Sequence, residues 1–247
     1  MELTPEIQST VAKGLALTTV MLSTGVLAKH FNVKVNYTRK VNHFCILFFP
    51  VLLTKYISHE SELLGLLGAF SFLWTIAPFY LRKYIPTLET CFLSFDRPED
   101  RPFTLLWLLT QFFFGLLIGI SIAIFAEVYF GIPWVEIALL VLCLSHIGDG
   151  LAEPIGVRFG RIKYRTYALF TKKRYYRTLE GSLTVFISTI LVLMWFSYLF
   201  TGQQLILAFL TLPFMLMITE AISPHTWDGP FLSGVSGLAV IFILTYC

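Results

Sequence analysis

The side chains in this sequence best placed to do chemistry are acids set beside glycines and cations. Asp149 stands in the run Gly148-Asp149-Gly150, and Glu153, Glu180, Glu220 and Asp228 follow at the ends of different apolar stretches. Arg39, His43 and a basic run ending at Arg177 complete the set. Carboxylates of this kind hold a hard cation such as magnesium, which bridges phosphate oxygens while Lys and Arg neutralise the remaining charge. Glycine on either side of Asp149 lets backbone approach a phosphate closely. The combination has the needs of a magnesium–nucleotide site.

Each part also has a plainer reading. Gly148-Asp149-Gly150 suits the end of a lipid-facing helix. Arg39 and His43, four apart on one helix face, suit interfacial anchors that snorkel. The run from Asp96 to Pro102 reads as a stiff, salt-bridged turn. Glu127 and Glu136 fall near the opposite face, away from the other acids, and His30, His59, His146 and His225 have no partner spacing that argues for a metal. The sequence contains no GxxxxGK[ST] loop, dinucleotide fingerprint, GxSxG elbow or HExxH pair. Nothing in it resembles a nucleic-acid module, and no inverted repeat of the transporter kind is evident.

The elements that must position these residues are set by composition. Of 247 residues, 56% are apolar and only 13% charged, about half the charged share of a soluble domain. Such a chain cannot cover a globule with charge, so lipid is its solvent. Spans are expected at about 11–28, 42–57, 62–81, 104–126, 133–147, 182–201, 204–221 and 231–246. The fifth begins at Pro133, a good first-turn residue, and is expected to stop at Gly148-Asp149-Gly150. Basic residues test the count independently. Sixteen of the eighteen Lys and Arg fall between spans one and two, three and four, and five and six, leaving only Lys13 and Lys55 on the other side. By the positive-inside rule both termini are outside, and the loops 29–41, 82–103, 148–181 and 222–230 are cytoplasmic. The expected fold is all-α: a polytopic membrane protein of about eight transmembrane helices, forming one domain over 1–247.

The loop 148–181 is too long for a bare connection. Between Tyr164 and Arg177 it mixes Tyr, Leu and Phe with Lys and Arg, a composition suited to a membrane surface with anionic headgroups. The four cysteines, Cys45, Cys91, Cys143 and Cys247, are scattered. Three are expected in apolar helices and Cys91 in a loop, with packing rather than disulfide or zinc roles. The N-terminus lacks the basic stretch and cleavage site of a signal peptide, so the first apolar segment is expected to remain as a span.

The run from Gly148 to Gly160, Gly-Asp-Gly-Leu-Ala-Glu-Pro-Ile-Gly-Val-Arg-Phe-Gly, resembles the GDGxAxxxGxxFG signature of the phytol, farnesol and dolichol kinase superfamily. Arg177-Thr178-Leu179-Glu180-Gly181-Ser182 is similar to that family's K-[ST]-x-E-G-S element, and Arg39-Lys40-Val41-Asn42-His43 to its R-K-x-x-H element. Glu220, Ser223, Pro224 and Asp228 match its late E…SP…D element. The four elements come in order over residues 39–230. Departures are Arg177 where Lys is usual, Gly229 where Asn often follows the last acid, and Glu153-Pro154 after the alanine.

The resemblance implies a CTP-dependent enzyme that phosphorylates an isoprenoid alcohol. Magnesium would be held by Asp149 and Glu180, with Glu220 or Asp228. Nucleotide-binding residues would be Arg39, Lys40, Gly148, Gly150, Gly156, Gly160, Lys172, Lys173, Arg174 and Arg177. Asp149 or His43 would serve as base, beside Glu180. The partners implied are the membrane lipid substrate and a nucleoside triphosphate, with no nucleic acid. The active site would lie on the cytoplasmic face, and the compact chain fits a bacterial inner membrane. Two alternatives stand beside this: a phosphatidate cytidylyltransferase making a CDP-lipid, and a non-enzymatic transporter or lipid-binding protein.

Overall fold

The computed structural model describes residues 5–56, 80–131 and 134–246. They are mostly helical, because a backbone in lipid must satisfy its own hydrogen bonds. Helices α1 (Pro5–His30), α2 (Val35–Tyr56), a short α3 (Pro86–Leu93), α4 (Thr104–Phe130) and α5 (Trp134–Phe159) come first. A hairpin of β1 (Lys163–Ala168) and β2 (Thr171–Thr178) follows, then α6 (Leu179–Trp195), α7 (Gly202–Ile222) and α8 (Asp228–Tyr246). Among the described residues five stretches are long and apolar enough to cross a membrane: Val11–His30, Thr104–Phe130, Glu136–Phe159, Gly202–Ile222 and Asp228–Tyr246. Helix α6 is apolar but, at 17 residues, shorter. The expected span at 62–81 lies outside the described residues but for its last two positions, and Pro133 lies outside them too. The chain divides into two compact units, Met1–Leu109 and Thr110–Cys247.

In the first unit α1 packs on α2 and α3. Met21, Cys91, Phe92 and Phe95 form its buried core. Cys91 therefore sits in a buried helix, not in the loop expected between 82 and 103. Small and polar residues join these helices, as packing in lipid requires when burial of apolar surface gains nothing over the bilayer. Gly25 leaves no room for a Cβ against the Thr90 carbonyl. Asn42, fully buried, donates to Ser94 Oγ at 2.7 Å and accepts from Thr24 Oγ1 at 3.0 Å.

In the second unit α5, α6, α7 and α8 pack each against the next, and α8 returns against α5. The expected stop at Gly148-Asp149-Gly150 does not occur: α5 runs on to Phe159. The glycines stop a helix only where nothing packs on them, and here α6 does. Gly148, Ala152, Gly156 and Gly160 recur every fourth residue, the small-residue spacing of close helix pairs. A Cβ on Gly148 would stand 3.0 Å from Val185 Cα, and one on Gly156 2.6 Å from Thr178 Oγ1. Gly160 likewise faces Thr178, and Gly181 of α6 faces the Ala152 carbonyl. These contacts run in opposite directions along α5 and α6, so the pair is antiparallel and the hairpin joins them at one end.

The mostly helical fold agrees with the all-α expectation, and one short two-stranded hairpin is inserted between α5 and α6. Residues 163–168 and 174–177 alternate between packed and solvent-facing side chains, as strands do. Tyr164, Thr166, Ala168, Tyr175 and Arg177 turn inward, while Lys163, Arg165, Tyr167, Arg174 and Tyr176 are exposed. Its inward face is tied to the α7–α8 connection: His225 N donates to the Tyr167 carbonyl at 2.7 Å, and Thr166 Oγ1 to the Ser223 carbonyl at 3.2 Å. Thr178 ends β2 and caps α6, accepting from Gly181 N.

Candidate functional site

The hairpin end of the second unit gathers side chains from a strand and three helix ends around Arg177. Arg177 is the last inward residue of β2, Glu220 lies in the final turn of α7, and Asp228 opens α8. Nη1 of Arg177 donates to Glu220 Oε1 at 3.0 Å and to Ser223 Oγ at 3.3 Å. Nη2 donates to the Pro224 carbonyl and to Asp228 Oδ2, each at 3.4 Å. The three charged side chains are only 9%, 6% and 15% exposed. Burial alone would lower the Arg177 pKa, but Asp228 and then Glu220 more than offset it, so the guanidinium is held above its ordinary range.

The other oxygen of Glu220 is also taken. Ser182, in the first turn of α6, donates to Glu220 Oε2 at 2.7 Å, and the Tyr164 hydroxyl stands 2.6 Å from Ser182 Oγ. With the serine proton on Glu220, Tyr164 must be the donor in that second bond. Burial, followed by the Glu220 charge, pushes the Tyr164 pKa up and keeps its proton in place. The cluster thus sets two carboxyl groups around one guanidinium.

Asp149 lies in α5 at 2% exposure. One turn earlier is His146, and ligand atoms of the two lie within 4.8 Å of each other. His146 faces the start of α8: a Cβ on Gly229 would be 3.4 Å from His146 Cε1 and 3.4 Å from Gln111 Nε2. Around that helix start, Gln111 Oε1, Thr226 Oγ1 and Trp227 Nε1 are buried and have no hydrogen-bond partner among the described residues. His146 is not among the site residues expected from the sequence. Its signal was the three-residue spacing from Asp149, which places both on one helix face.

Glu180 belongs to a different group. It is two residues from Ser182 on α6, and so points to the opposite side of the helix from Glu220. Its Oε1 accepts from Arg161 N at 2.9 Å and Ile162 N at 3.3 Å, while Oε2 has no partner among the described residues. The Arg161 backbone bond is the main reason its carboxyl is held below the ordinary range. Arg158, Phe159, Gly160, Arg161 and Glu180 line an open cleft of about 520 Å³.

Of the residues singled out in the sequence, Arg177, Glu220 and Asp228 come together, whereas Glu180 lines a separate cleft. Lys172 and Arg174 do not join them, since both are exposed and share the outward register of β2. Lys173 lies over the Tyr175 ring at 5.1 Å, and that ring stacks on His225 at 3.9 Å. Gly148, Gly156 and Gly160 are explained by the α5–α6 approach, and Gly150 is buried within α5. Arg39, Lys40 and His43 lie on α2 in the first unit. Arg39 is buried rather than snorkelling, with Nη1 3.7 Å from Asp100, which Arg97 also grips at 2.6 Å. The run 96–102 is salt-bridged as expected, with Arg101 Nε 2.8 Å from Asp96.

No protein-family model, curated protein or solved structure matches the chain.

Proposed function

We propose that this chain is a membrane-embedded lipid-alcohol kinase, transferring the γ-phosphate of CTP to the hydroxyl of an isoprenoid alcohol such as phytol, farnesol or a polyprenol. In this reading about eight helices cross the membrane, both termini lie outside, and the hairpin end of the second unit faces the cytoplasm. The observation that carries it is Arg177, buried between two carboxylates where the apolar helices end. Buried charge at that level is costly and points to function. The motif resemblance supplies the reaction class.

The residues suit the chemistry. Asp149, Glu180, Glu220 and Asp228 offer hard oxygen donors of the kind a divalent cation takes. Magnesium bound by such donors would neutralise triphosphate charge. Arg177 carries a planar fork of the kind that matches phosphate oxygens, with Glu220 and Asp228 fixing its orientation. Asp149, with His146 beside it, would take the proton of the lipid hydroxyl. The alcohol oxygen then bonds to the γ-phosphorus, the bond to the bridging oxygen breaks, and CDP leaves. Catalysis on this scheme is mainly positioning and charge neutralisation. The isoprenoid tail would stay in the bilayer between helices.

The test is purified protein in detergent with magnesium, CTP labelled at the γ-phosphate, and a panel of lipid alcohols. Label in phytol, farnesol or a polyprenol is the expected result. Pyrophosphate formed with phosphatidate would replace this reading by the cytidylyltransferase. No turnover with any nucleotide and lipid would leave a non-enzymatic membrane protein.

A further inference from the structure

The two faces of the hairpin differ in kind. The inward face is fully committed: Tyr164, Thr166 and Arg177 bond to Ser182, Ser223, Glu220 and Asp228. Among the described residues, no side-chain hydrogen bond or ion pair of that kind accounts for the composition of the outward face. Lys163, Arg165 and Tyr167 of β1 share it with Lys172, Arg174 and Tyr176 of β2, and Arg165 pairs across the strands with Tyr176. Between Lys163 and Thr178 the sequence has no Asp or Glu. Four like charges on a two-stranded plate repel one another, and a hairpin of this size is marginal on its own. An acid on the same face would relieve the repulsion; its absence leaves that role to anions from outside the hairpin.

We propose that this outward face docks on the anionic headgroups of the membrane that the helices cross. Position supports it. The hairpin base follows directly from the end of α5 and runs into the start of α6, both apolar helices. The aromatic content supports it too: Tyr167 is 45% exposed, Tyr176 61%, and Phe170, at the turn with φ 65°, 58%. Tyr and Phe between Lys and Arg are what a headgroup layer accommodates, ring in the interface and cation on the phosphate. A free nucleotide suits this face less well, because its cations are spread over an open strand face turned away from Arg177 and the acids. Each basic residue near an anionic surface adds about fivefold to the association, and the effect fades beyond a Debye length. The inference needs the helices to span a membrane but does not depend on kinase activity.

Hydroxyl-radical footprinting of the full chain in nanodiscs tests it. One set of discs holds phosphatidylcholine alone, the other roughly three parts phosphatidylcholine to one of phosphatidylglycerol. Oxidation of Tyr167 and Tyr176 should fall by about threefold or more in the anionic discs, and about 0.5 M NaCl should restore it. The triple variant Lys163→Gln/Arg165→Gln/Arg174→Gln should lose the protection while buried Tyr175 stays protected, which reports an intact fold. Equal oxidation of the two tyrosines in both lipids overturns the proposal. So does protection by CTP in discs without anionic lipid, which would give the face to nucleotide.

Discussion

Replacing Arg177 by Met removes the guanidinium from the cluster and leaves its acids in place. Glu220, 6% exposed, then keeps only the Ser182 bond, while Asp228, 15% exposed, recovers part of its hydration. Breaking a buried pair by removing one partner costs about 3–5 kcal/mol, because the orphaned charge stays buried. We expect a loss in that range for Arg177→Met, carried mainly by Glu220. Arg177→Lys should fall between it and the native protein, since an ammonium lacks the fork that engages both acids. The informative arm is the double variant Arg177→Met/Glu220→Gln. With the orphaned charge gone, it should be more stable than the sum of the single losses by roughly 2 kcal/mol, within the range seen for contacting residues. Urea unfolding in mild detergent, followed by circular dichroism, measures all four corners of the cycle. A loss below about 1 kcal/mol for Arg177→Met, or strict additivity in the double variant, would refute the buried-cluster reasoning.

Two further expectations follow from the same end of the molecule. Gly156→Ala should destabilise by about 1–3 kcal/mol, because its Cβ would meet Thr178 Oγ1 at 2.6 Å and disturb the α6 cap. Gly119→Ala, with nothing within 4 Å of its Cβ, should be neutral or up to about 1 kcal/mol stabilising through helix propensity; thermal midpoints that fail to separate the two contradict the packing role. The Glu180 carboxyl is held below its reference pKa of 4.5 by the Arg161 and Ile162 backbone bonds. Its contribution is therefore present above that value and lost as pH falls through the lowered one. Unfolding curves from neutral to acidic pH should show this acid limb in the native protein and a weaker one in Glu180→Gln.

The apolar helices were readable because lipid as solvent leaves a coarse signal, long uncharged runs separated by basic loops. The end of α5 was misread because glycine stops a helix only where it is unpacked, and the partner at Val185 and Thr178 is distant in sequence. The hairpin had a signal in the alternation over 163–168 and 174–177, but its two-residue turn is Leu169-Phe170, without the Gly or Asn that marks such turns. Arg177, Glu220 and Asp228 were legible from type and position. The separation of Glu180 from them was not, since it depends on which side of α6 each residue takes. His146 carries no metal-ligand spacing in the sequence, and only the helix that continues through Asp149 brings the ligand atoms of the two within 4.8 Å.

The most direct test of the central claim compares wild type and Asp149→Asn for CDP and lipid phosphate formed from CTP and a lipid alcohol, alongside their thermal midpoints. The account predicts that the wild type forms the two products one for one. Asp149→Asn, close to isosteric at a site 2% exposed, should lose both with little change in stability. Near-normal turnover in Asp149→Asn, or pyrophosphate in place of CDP from the wild type, would contradict it.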